Sequence, residues 1–255
     1  MGLLVVDNIT MQFGGLTAVD KFSANLDEGE ILGLIGPNGA GKTTVFNCLT
    51  GMYQPTSGSI NFQGKELVGL HPFEITQLGV ARTFQNIRLF KNLTVLDNVA
   101  IALHPKAGYG MLQAVLRLPG FRKCEKRIYE RANELLEIFG LSERKTEIAG
   151  NLPYGEQRRL EMARALAAQP KVLLLDEPAA GMNPHETKEL EELIRWVQKE
   201  FSLSILLIEH DMSFVMNLCD EIVVLDYGIS IAQGTPAEIR SNPRVIEAYL
   251  GEEAS

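Results

Sequence analysis

Cysteine is scarce in this sequence, and long apolar runs are absent from it. The three cysteines (Cys48, Cys124 and Cys219) lie far apart, and none belongs to a C-x-x-C pair. Because their number is odd and their spacing wide, they support neither a disulfide framework nor a zinc site, and we expect a reducing cytoplasm. The longest apolar pieces, such as Ile205 to Ile208, have the length of a strand, whereas a membrane-spanning helix needs about 20 apolar residues. Any role at a membrane is therefore expected to depend on a partner protein.

Positive charge is also in short supply. The chain has 24 Lys and Arg against 32 Asp and Glu, which gives a net charge of −8. This acidic balance argues against affinity for nucleic acid or anionic lipid through bulk charge. Hydrophobic residues make up 45% of the 255 residues and charged residues 22%. Such values are ordinary for globular proteins and exclude a disordered or collagen-like chain.

Apolar runs with the length of strands alternate with helical patterns toward both ends of the chain. Ile31 to Ile35 is mostly apolar, as expected for a strand buried on both faces, and a helix is predicted from about Lys42 to Thr50. The alternation returns in the last third with strands Val172–Leu175, Leu203–Ile208 and Glu221–Leu225 and helix Pro184–Phe201. This order of elements predicts an α/β core.

Between roughly Asn86 and Pro170 the pattern is helical instead. Apolar residues recur there at the spacing of one helix face, and Gly140 ends the run. The residues of this face are Ile128, Ala132, Leu135, Leu136 and Phe139. We therefore expect a mainly helical insertion within the α/β core rather than two independent domains.

The strongest functional signal is a glycine-rich segment between the predicted strand Ile31 to Ile35 and its helix. It matches the pattern G-x-x-x-x-G-K-[ST] and reads Gly36-Pro37-Asn38-Gly39-Ala40-Gly41-Lys42-Thr43-Thr44. Glycines let backbone N–H groups close around phosphate oxygens, and the helix N-terminus adds a favourable dipole. Lys42 is expected to reach the β- and γ-phosphates, and the Thr43 hydroxyl to bind Mg²⁺. The alternative is a glycine turn with a chance lysine, which the flanking strand and helix disfavour.

Two carboxylates follow the apolar strand that begins at Val172. At the carboxyl end of such a strand in a phosphate-loop protein, Asp176 can hold Mg²⁺ through water, and Glu177 can polarise the attacking water. Taken alone, an apolar strand that ends in Asp-Glu is usually a strand that meets solvent. Together with the glycine-rich segment, it predicts a site for nucleotide hydrolysis.

In their order along the chain, these motifs resemble the ATP-binding subunits of ABC transporters. Gln85, after Thr83-Phe84, resembles the Q-loop glutamine, which in that family contacts Mg²⁺ and water and senses the membrane subunit. Leu152 to Gln157 resembles the signature segment, with which family members bind ATP held on the partner subunit. Pro178 to Asn183 resembles the D-loop. The resemblance covers essentially the whole chain.

Two further positions belong to the same resemblance. His210, after a strand and Glu209, resembles the switch histidine that contacts the γ-phosphate. Phe13 falls where the family places an aromatic that stacks on adenine. Outside this context His210 would be as often a structural histidine as an active one. Gln85 would normally be a surface glutamine, and Phe13 would normally be a core residue.

The resemblance implies an ABC ATPase cassette, in which a P-loop NTPase core carries an antiparallel β subdomain and a mainly helical insertion. The nucleotide-binding core is expected at residues 1–85 and 171–255, and the insertion with the signature segment at 86–170. The implied cofactors are ATP and Mg²⁺. The implied catalytic residues are Glu177, His210, Lys42 and Gln85, and the implied metal site is Thr43, Gln85 and Asp176. The implied nucleotide contacts are Phe13, Gly36, Pro37, Asn38, Gly39, Ala40, Gly41, Lys42, Thr43, Thr44, Tyr154, Gly155, Glu156 and Gln157.

Three residues depart from the family pattern. Pro153 and Tyr154 stand where the signature segment usually has Ser and Gly, so the hydroxyl that binds the γ-phosphate is missing. Tyr154 itself or N–H groups near Gly155 are the groups left to take its place. Asn183 stands where the D-loop usually has Asp, and with Pro184 and Glu186 it also forms a helix start, which makes a capping role the alternative to a catalytic one.

Finer similarity points to the branched-chain amino-acid (LivG-type) uptake ATPases, among which Tyr in place of Gly is familiar. The segments that carry it are Met11–Leu16, Arg82–Gln85, Arg88–Phe90, Tyr154–Glu161, Asp176–Gly181 and Pro243–Gly251. The implied partners are integral-membrane permease subunits, a second ATPase (a copy or a paralogue) in an ATP-sandwich dimer, and indirectly a solute-binding protein. The implied location is the cytoplasmic face of the cell membrane. Urea and amide importers have similar ATPases, so the solute stays open.

The residues after Gln85, roughly Asn86 to Asn98, are the candidate grip on a permease helix. Their apolar side chains would supply a socket, or would instead pack the core of the insertion: Leu89, Phe90, Leu93 and Val95. Two other classes of function stay open. One is an ABC ATPase that acts on DNA or ribosomes, and the single acidic cassette disfavours it. The other is a regulator that binds nucleotide without hydrolysing it.

Overall fold

The structure, a computed structural model, describes residues 2–85, 87–106 and 119–253 of the chain. It divides into two compact units, Met1–Arg82 with Lys171–Ser255 and, separately, Thr83–Pro170. The sequence prediction divided the chain after Gln85 and after Pro170. Asn86, the first residue of the predicted insertion, lies outside the described residues.

The helices in the described part of the chain are numbered in chain order. They are α1 (Lys42–Leu49), α2 (Pro72–Leu78), α3 (Val95–Leu103), α4 (Pro119–Ile138), α5 (Tyr154–Ala167), α6 (Pro184–Glu200), α7 (Met212–Leu218), α8 (Pro236–Arg240) and α9 (Pro243–Glu253). Helices α3 to α5 belong to the unit Thr83–Pro170, and the others to the larger unit. None of these helices is both long enough and apolar enough to cross a membrane.

The larger unit contains an antiparallel sheet near its N-terminus. Its strands are β1 (Leu4–Phe13), β2 (Leu16–Leu26), β4 (Ser57–Phe62) and β5 (Lys65–Glu66), in the order β2-β1-β4-β5. Strand β1 pairs with β2 and β4, and the turn between β1 and β2 places Phe13 opposite Leu16. This sheet is the antiparallel part that the resemblance implied.

The second sheet of this unit is mostly parallel and has the strand order β10-β9-β3-β8-β7-β6. Its strands are β3 (Ile31–Ile35), β6 (Val80–Arg82), β7 (Val172–Asp176), β8 (Ser204–Ile208), β9 (Glu221–Asp226) and β10 (Ile229–Gly234). Every residue of β3, β7 and β8 is buried, as expected for apolar strands covered on both faces. Because β8 lies between β3 and β7, the carboxyl ends of these three strands meet at one edge of the sheet.

Apolar packing joins the two sheets of the larger unit. The buried cluster includes Ile9 of β1, Phe22 of β2, Phe46 of α1, Leu34 of β3 and Leu174 of β7. Helix α1 therefore lies between the antiparallel sheet and one face of the parallel sheet, and its start is fixed relative to the ends of β3 and β7. The predicted α/β core is confirmed, although the sequence did not reveal α2 or the edge strand β6.

The unit Thr83–Pro170 is mainly helical, as the sequence predicted. The predicted apolar face of α4 is confirmed, because each of its members is buried: Ile128, Ala132, Leu135, Leu136 and Phe139. An isolated antiparallel bridge between Thr94 and Ile148 accompanies helix α3. In the larger unit, the predicted start of α6 is also confirmed, since the Asn183 side chain accepts hydrogen bonds from the N–H groups of His185 and Glu186.

Candidate active site

The loop between β3 and α1 has a main chain that only glycine can follow at two points. Gly36 has a φ of +148°, and a Cβ there would lie 1.9 Å from the carbonyl oxygen of Leu225. Gly41 has a φ of +104°, and a Cβ there would lie 2.6 Å from the carbonyl oxygen of Ala18. The glycines of the sequence motif are therefore required by the path of the loop, as a phosphate-binding loop needs.

Helix α1 begins at this loop with its N-terminal N–H groups directed at the site. Its N-cap is Gly41, which makes no side-chain capping hydrogen bond. The hydroxyl-bearing Thr43 is exposed in the first turn, and Thr44 is half-buried. Uncapped N–H groups and the helix dipole favour an anion at this position.

Lys42 is folded against the loop that it would serve. Its side chain is buried, and its Nζ donates hydrogen bonds to the carbonyl oxygens of Gly36 and Pro37, at 2.6 and 2.8 Å. The ammonium group is therefore held inside the curve of the loop, where its charge faces any phosphate that the loop N–H groups bind.

Asp176, at the end of β7, forms a buried ion pair with Arg82. The Arg82 Nη2 lies 2.6 Å from the Asp176 Oδ2, and the two side chains are 6% and 4% exposed. Arg82 also donates to the Asn47 side chain at 2.8 Å and lies over the Phe46 ring, so it is held by α1. The carboxylate expected to serve a metal ion is thereby oriented by a residue at the end of β6. Sequence reasoning assigned no role to Arg82.

Glu177 and His210 face each other at the edge of the parallel sheet. The Nε2 of His210 lies 2.6 Å from the Oε1 of Glu177, and their side chains are 43% and 14% exposed. Glu177 has a φ of +48°, a left-handed conformation uncommon for Glu, and its N–H donates to the Ile208 carbonyl at 2.9 Å. With this backbone conformation at the end of β7, the Glu177 carboxylate lies opposite the histidine.

Glu209 holds the chain on both sides of that pair. It is 3% exposed, and its carboxylate accepts hydrogen bonds from the N–H groups of Ala179, at 2.7 Å, and His210, at 3.0 Å. Burial raises the pKa of Glu209 above its ordinary value. Ala179 lies in the segment after Glu177, so one carboxylate fixes two loops that follow different strands. Sequence reasoning named Glu209 only as the neighbour of His210.

Phe13 lies on the surface and not in the core. Its side chain is 41% exposed at the end of β1, and its ring meets the Tyr53 ring edge-to-face, with 5.2 Å between centroids. Tyr53 is 37% exposed and is anchored by its N–H to the carbonyl oxygen of Asn47 at the end of α1. The two rings offer an aromatic surface in the same unit as the glycine-rich loop.

The predicted signature residues lie at the start of α5, in the other unit. Pro153 is the N-cap and makes no side-chain capping hydrogen bond, while Tyr154 is 45% exposed. Gln157 donates from its side chain to the Leu152 carbonyl at 2.8 Å, and Glu156 lies 3.4 Å from Arg144. The N–H groups of the first helical turn, near Gly155, are therefore not taken by a capping side chain. Such groups can bind an anion.

Two groups of predicted site residues thus occupy different units. The larger unit brings together the glycine-rich loop, Asp176, Glu177, His210 and Phe13, whereas the unit Thr83–Pro170 contains Gln85 and the signature residues. Gln85 is exposed. In chemical terms, the first group offers an anion-binding loop beside a carboxylate–imidazole pair, which suits hydrolysis of a phosphate chain.

Comparison with known proteins gives consistent results along the chain. The sequence profile of the family described as ABC transporter matches residues 19–180, and that of the branched-chain amino acid ATP-binding cassette transporter family matches residues 231–255. The high-affinity branched-chain amino acid transport ATP-binding protein LivG of Salmonella typhimurium is 52% identical over 250 residues, with 98% of each chain covered. Its counterpart BraF of Pseudomonas aeruginosa is 49% identical over 250 residues, with the same coverage.

A solved structure extends the similarity to the fold. The ADP conformation of an ATP-binding cassette of an ABC transporter matches with a TM-score of 0.85 and 32% identity, over 98% of this chain and 99% of that one. The similarity therefore includes both units and the segments that join them.

Proposed function

The chain belongs to the ABC transporter family as an ATP-hydrolysing subunit of an importer, and we propose that it energises uptake of branched-chain amino acids through a separate membrane permease. The family prediction and the cassette fold predicted from the sequence are confirmed. The proposal about the solute is supported by identity over 98% of the chain to LivG and BraF, whose names state that transport.

The observation that carries the hydrolytic mechanism is the Glu177–His210 pair, 2.6 Å apart at the sheet edge beside the phosphate loop. In the mechanism we propose, loop N–H groups and Lys42 hold the phosphates of ATP. Glu177 polarises the water that attacks the γ-phosphorus, while the bond to the bridging oxygen of ADP breaks and inorganic phosphate leaves. His210 orients Glu177 and stabilises charge that develops on the γ-phosphate.

The donor set fits a Mg²⁺ ion carried by the nucleotide. The described residues contain no cluster of three or more His, Cys, Asp or Glu that would hold a metal ion. Magnesium commonly takes one or two protein oxygens and completes its shell with phosphate oxygens and water. Thr43, Asp176 and Gln85 are the residues that would serve it, and Arg82 already orients the Asp176 carboxylate. When bound, the ion neutralises charge on the phosphates.

We further propose that two ATPase subunits, copies or paralogues, enclose ATP between the phosphate loop of one and the signature segment of the other. Pro153 offers no hydroxyl, so the γ-phosphate of the partner's ATP would bind N–H groups near Gly155 at the uncapped start of α5. The exposed Tyr154 ring is available to cover that site.

The proposed permease contact centres on Phe90. Its side chain is 49% exposed, whereas Val95 is fully buried, so the core-packing alternative is correct for Val95. The buried Asn98 side chain accepts from the Phe90 N–H at 2.9 Å and donates to the Phe90 carbonyl at 3.1 Å. This two-point hold presents Phe90 at the surface. It supports the proposal that Phe90 contacts the permease, and we propose that this contact holds the chain at the cytoplasmic face of the cell membrane.

The first test is a pull-down of the tagged chain from solubilised native membranes, with partners identified by mass spectrometry. Recovery of polytopic membrane proteins is expected, and a second ATPase in the eluate would identify a paralogue pair. Recovery of ribosomes, DNA or soluble proteins alone would contradict the transporter assignment. The solute is then tested by comparing the uptake of radiolabelled leucine and urea between cells that carry the gene and cells that lack it. Loss of leucine uptake without loss of urea uptake is expected.

The second test concerns the chemistry. The Glu177→Gln variant should bind ATP, stop hydrolysis and accumulate as a dimer in size-exclusion chromatography with ATP but not with ADP. Equal, near-zero turnover of the wild type and this variant, even beside the permease, would instead favour a nucleotide-binding regulator.

A further inference from the structure

Helix α5 carries a buried ion pair that the proposed ATP chemistry does not use. The Nη1 of Arg158 lies 3.1 Å from the Oε2 of Glu161, and the two side chains are 3% and 4% exposed. Because they are three residues apart, they lie on one face of the helix. Burial of such a pair is costly because both charges lose their hydration, so other interactions must compensate for that cost.

Both side chains bind the main chain around Gln85. Arg158 donates to the carbonyl oxygens of Phe84 and Gln85, each at 2.6 Å. Glu161 Oε1 accepts from the N–H groups of Phe84 and Arg88, at 3.4 and 3.2 Å. The ion pair thus satisfies four main-chain groups of an irregular segment.

The same face of α5 continues in both directions. The Arg158 guanidinium lies 5.7 Å from the centre of the Tyr154 ring, in the signature segment. Arg164, one turn further along, donates to the Arg88 carbonyl, and its guanidinium lies 5.4 Å from the centre of the Phe90 ring. One helix face therefore links the signature segment, the Gln85 segment and the proposed permease contact.

Space filling alone does not explain this arrangement. Buried ion pairs can often be replaced by apolar residues of similar volume without loss of stability, so the pair is not needed merely to fill the space. Apolar side chains, however, cannot bond to carbonyl and N–H groups. What would be lost is the fixed path of the main chain at Phe84, Gln85 and Arg88.

We propose that Arg158 and Glu161 are positioning residues that fix the main chain of Phe84, Gln85 and Arg88 to helix α5, so that Gln85 and the signature segment move as one body. This inference rests on the roles proposed above for Gln85 and the signature segment. ATP engaged by the signature segment then also sets the position of Gln85. Neither Arg158 nor Glu161 needs to touch ATP.

The test replaces the pair by apolar residues in the full chain. Arg158→Met alone and Glu161→Leu alone each leave one charge buried and should destabilise the protein, whereas the double variant should recover the part of that loss that comes from the unpaired charge. The matched control is Arg131→Met with Glu134→Leu, a pair with the same spacing on α4 whose side chains are 38% and 59% exposed.

Two readouts separate positioning from packing. In the double variant we expect kcat for ATP to fall by about 10- to 100-fold with little change in nucleotide affinity, because a displacement near 1 Å can cost that much. Amide hydrogen exchange at Phe84 and Arg88 should become at least tenfold faster. The control double variant should match the wild type in both.

A folded double variant with the wild-type kcat and wild-type amide hydrogen exchange would overturn the proposal. If that variant fails to fold, Arg158→Lys decides the matter, because it keeps the charge but loses the planar fork that reaches two carbonyls and a carboxylate. It should fold, exchange faster at Phe84 and lose kcat, and wild-type values would again overturn the proposal. If Gln85→Ala hydrolyses ATP at the wild-type rate, the proposed role of Gln85 is wrong, and the exchange data still test the attachment to α5.

Discussion

Glu209→Gln is a sharp perturbation because the two oxygens of this carboxylate have separate donors. The Oε1 accepts from the Ala179 N–H and the Oε2 from the His210 N–H. An amide keeps one acceptor oxygen and turns an NH₂ group toward the other donor. The variant therefore releases either the segment after Glu177 or the start of the His210 segment.

The magnitude follows from the contacts. Loss of a hydrogen bond to a charged acceptor costs about 1.5–3 kcal/mol, and removal of the buried charge returns part of it. We expect a net loss of about 2 kcal/mol, which lowers Tm by about 4–8 °C in a chain of this size. Because His210 faces Glu177 at 2.6 Å, we also expect kcat to fall by about tenfold or more.

The assay compares thermal unfolding and steady-state ATP hydrolysis for the wild type and Glu209→Gln, at a temperature where both are folded. Glu66→Gln is the matched control, since one oxygen of Glu66 accepts from both the Ile60 and Val68 N–H groups, each at 2.9 Å. An amide can keep both of those bonds, so this control should change little. A Glu209→Gln variant with wild-type Tm and wild-type kcat would refute the reasoning.

Four further predictions concern other parts of the chain. Because burial raises the folded-state pKa of Glu209 above its ordinary value, the contribution of Glu209 to the free energy of unfolding is complete below the unfolded-state pKa and declines as pH rises through the folded-state pKa. The difference in unfolding free energy between wild type and Glu209→Gln should therefore be largest at acid pH. Urea titrations in which this difference increases with pH would contradict the prediction. Phe13→Ala should weaken ATP binding by about 2- to 10-fold through lost stacking, whereas Leu16→Ala, across the same turn, should not; equal effects in fluorescent-nucleotide titrations would argue against stacking. Asn183→Ala should lower the free energy of unfolding, measured with denaturant, by about 1 kcal/mol, whereas Asn183→Asp should lower it little. An Ala variant as stable as the wild type would exclude a stabilising cap at Asn183. Phe90→Ser should abolish transport but keep basal ATPase activity, while Ile101→Ser, at another exposed apolar site of the same unit, keeps both; loss of both activities in Phe90→Ser would indicate misfolding.

Sequence reasoning succeeded where a local pattern carries the physics. The glycine-rich loop, the helix start at Asn183 and the apolar face of α4 depend on residues within one or two turns of each other, and the structure has these elements where they were predicted. The edge strand β6 was not predicted because its three residues, Val80–Arg82, are too few to show the alternation of apolar and polar residues that marks a strand. Helix α2 begins at a His71 cap, and histidine is not among the usual capping residues.

The partners that orient the site were beyond local patterns. Arg82 binds Asp176, and Arg158 binds the carbonyl groups of Phe84 and Gln85. In each case the two ends are far apart in the sequence, and only the packed fold joins them. A charged residue in a helix also looks the same whether it faces water or a buried main chain. The three-residue spacing of Arg158 and Glu161 was visible, but it is equally typical of an exposed helix face.

The left-handed backbone of Glu177 creates a trade-off between folding stability and ATP hydrolysis at one residue. A non-glycine residue in that region costs about 1–3 kcal/mol, and glycine would adopt the same φ of +48° freely. A glycine at this position would therefore relieve the backbone strain and favour a higher melting temperature, but the protein would lose the carboxylate that faces His210. Selection for heat resistance alone would drive the chain toward an inactive form, so any search for stabilised variants must score ATP turnover alongside melting temperature.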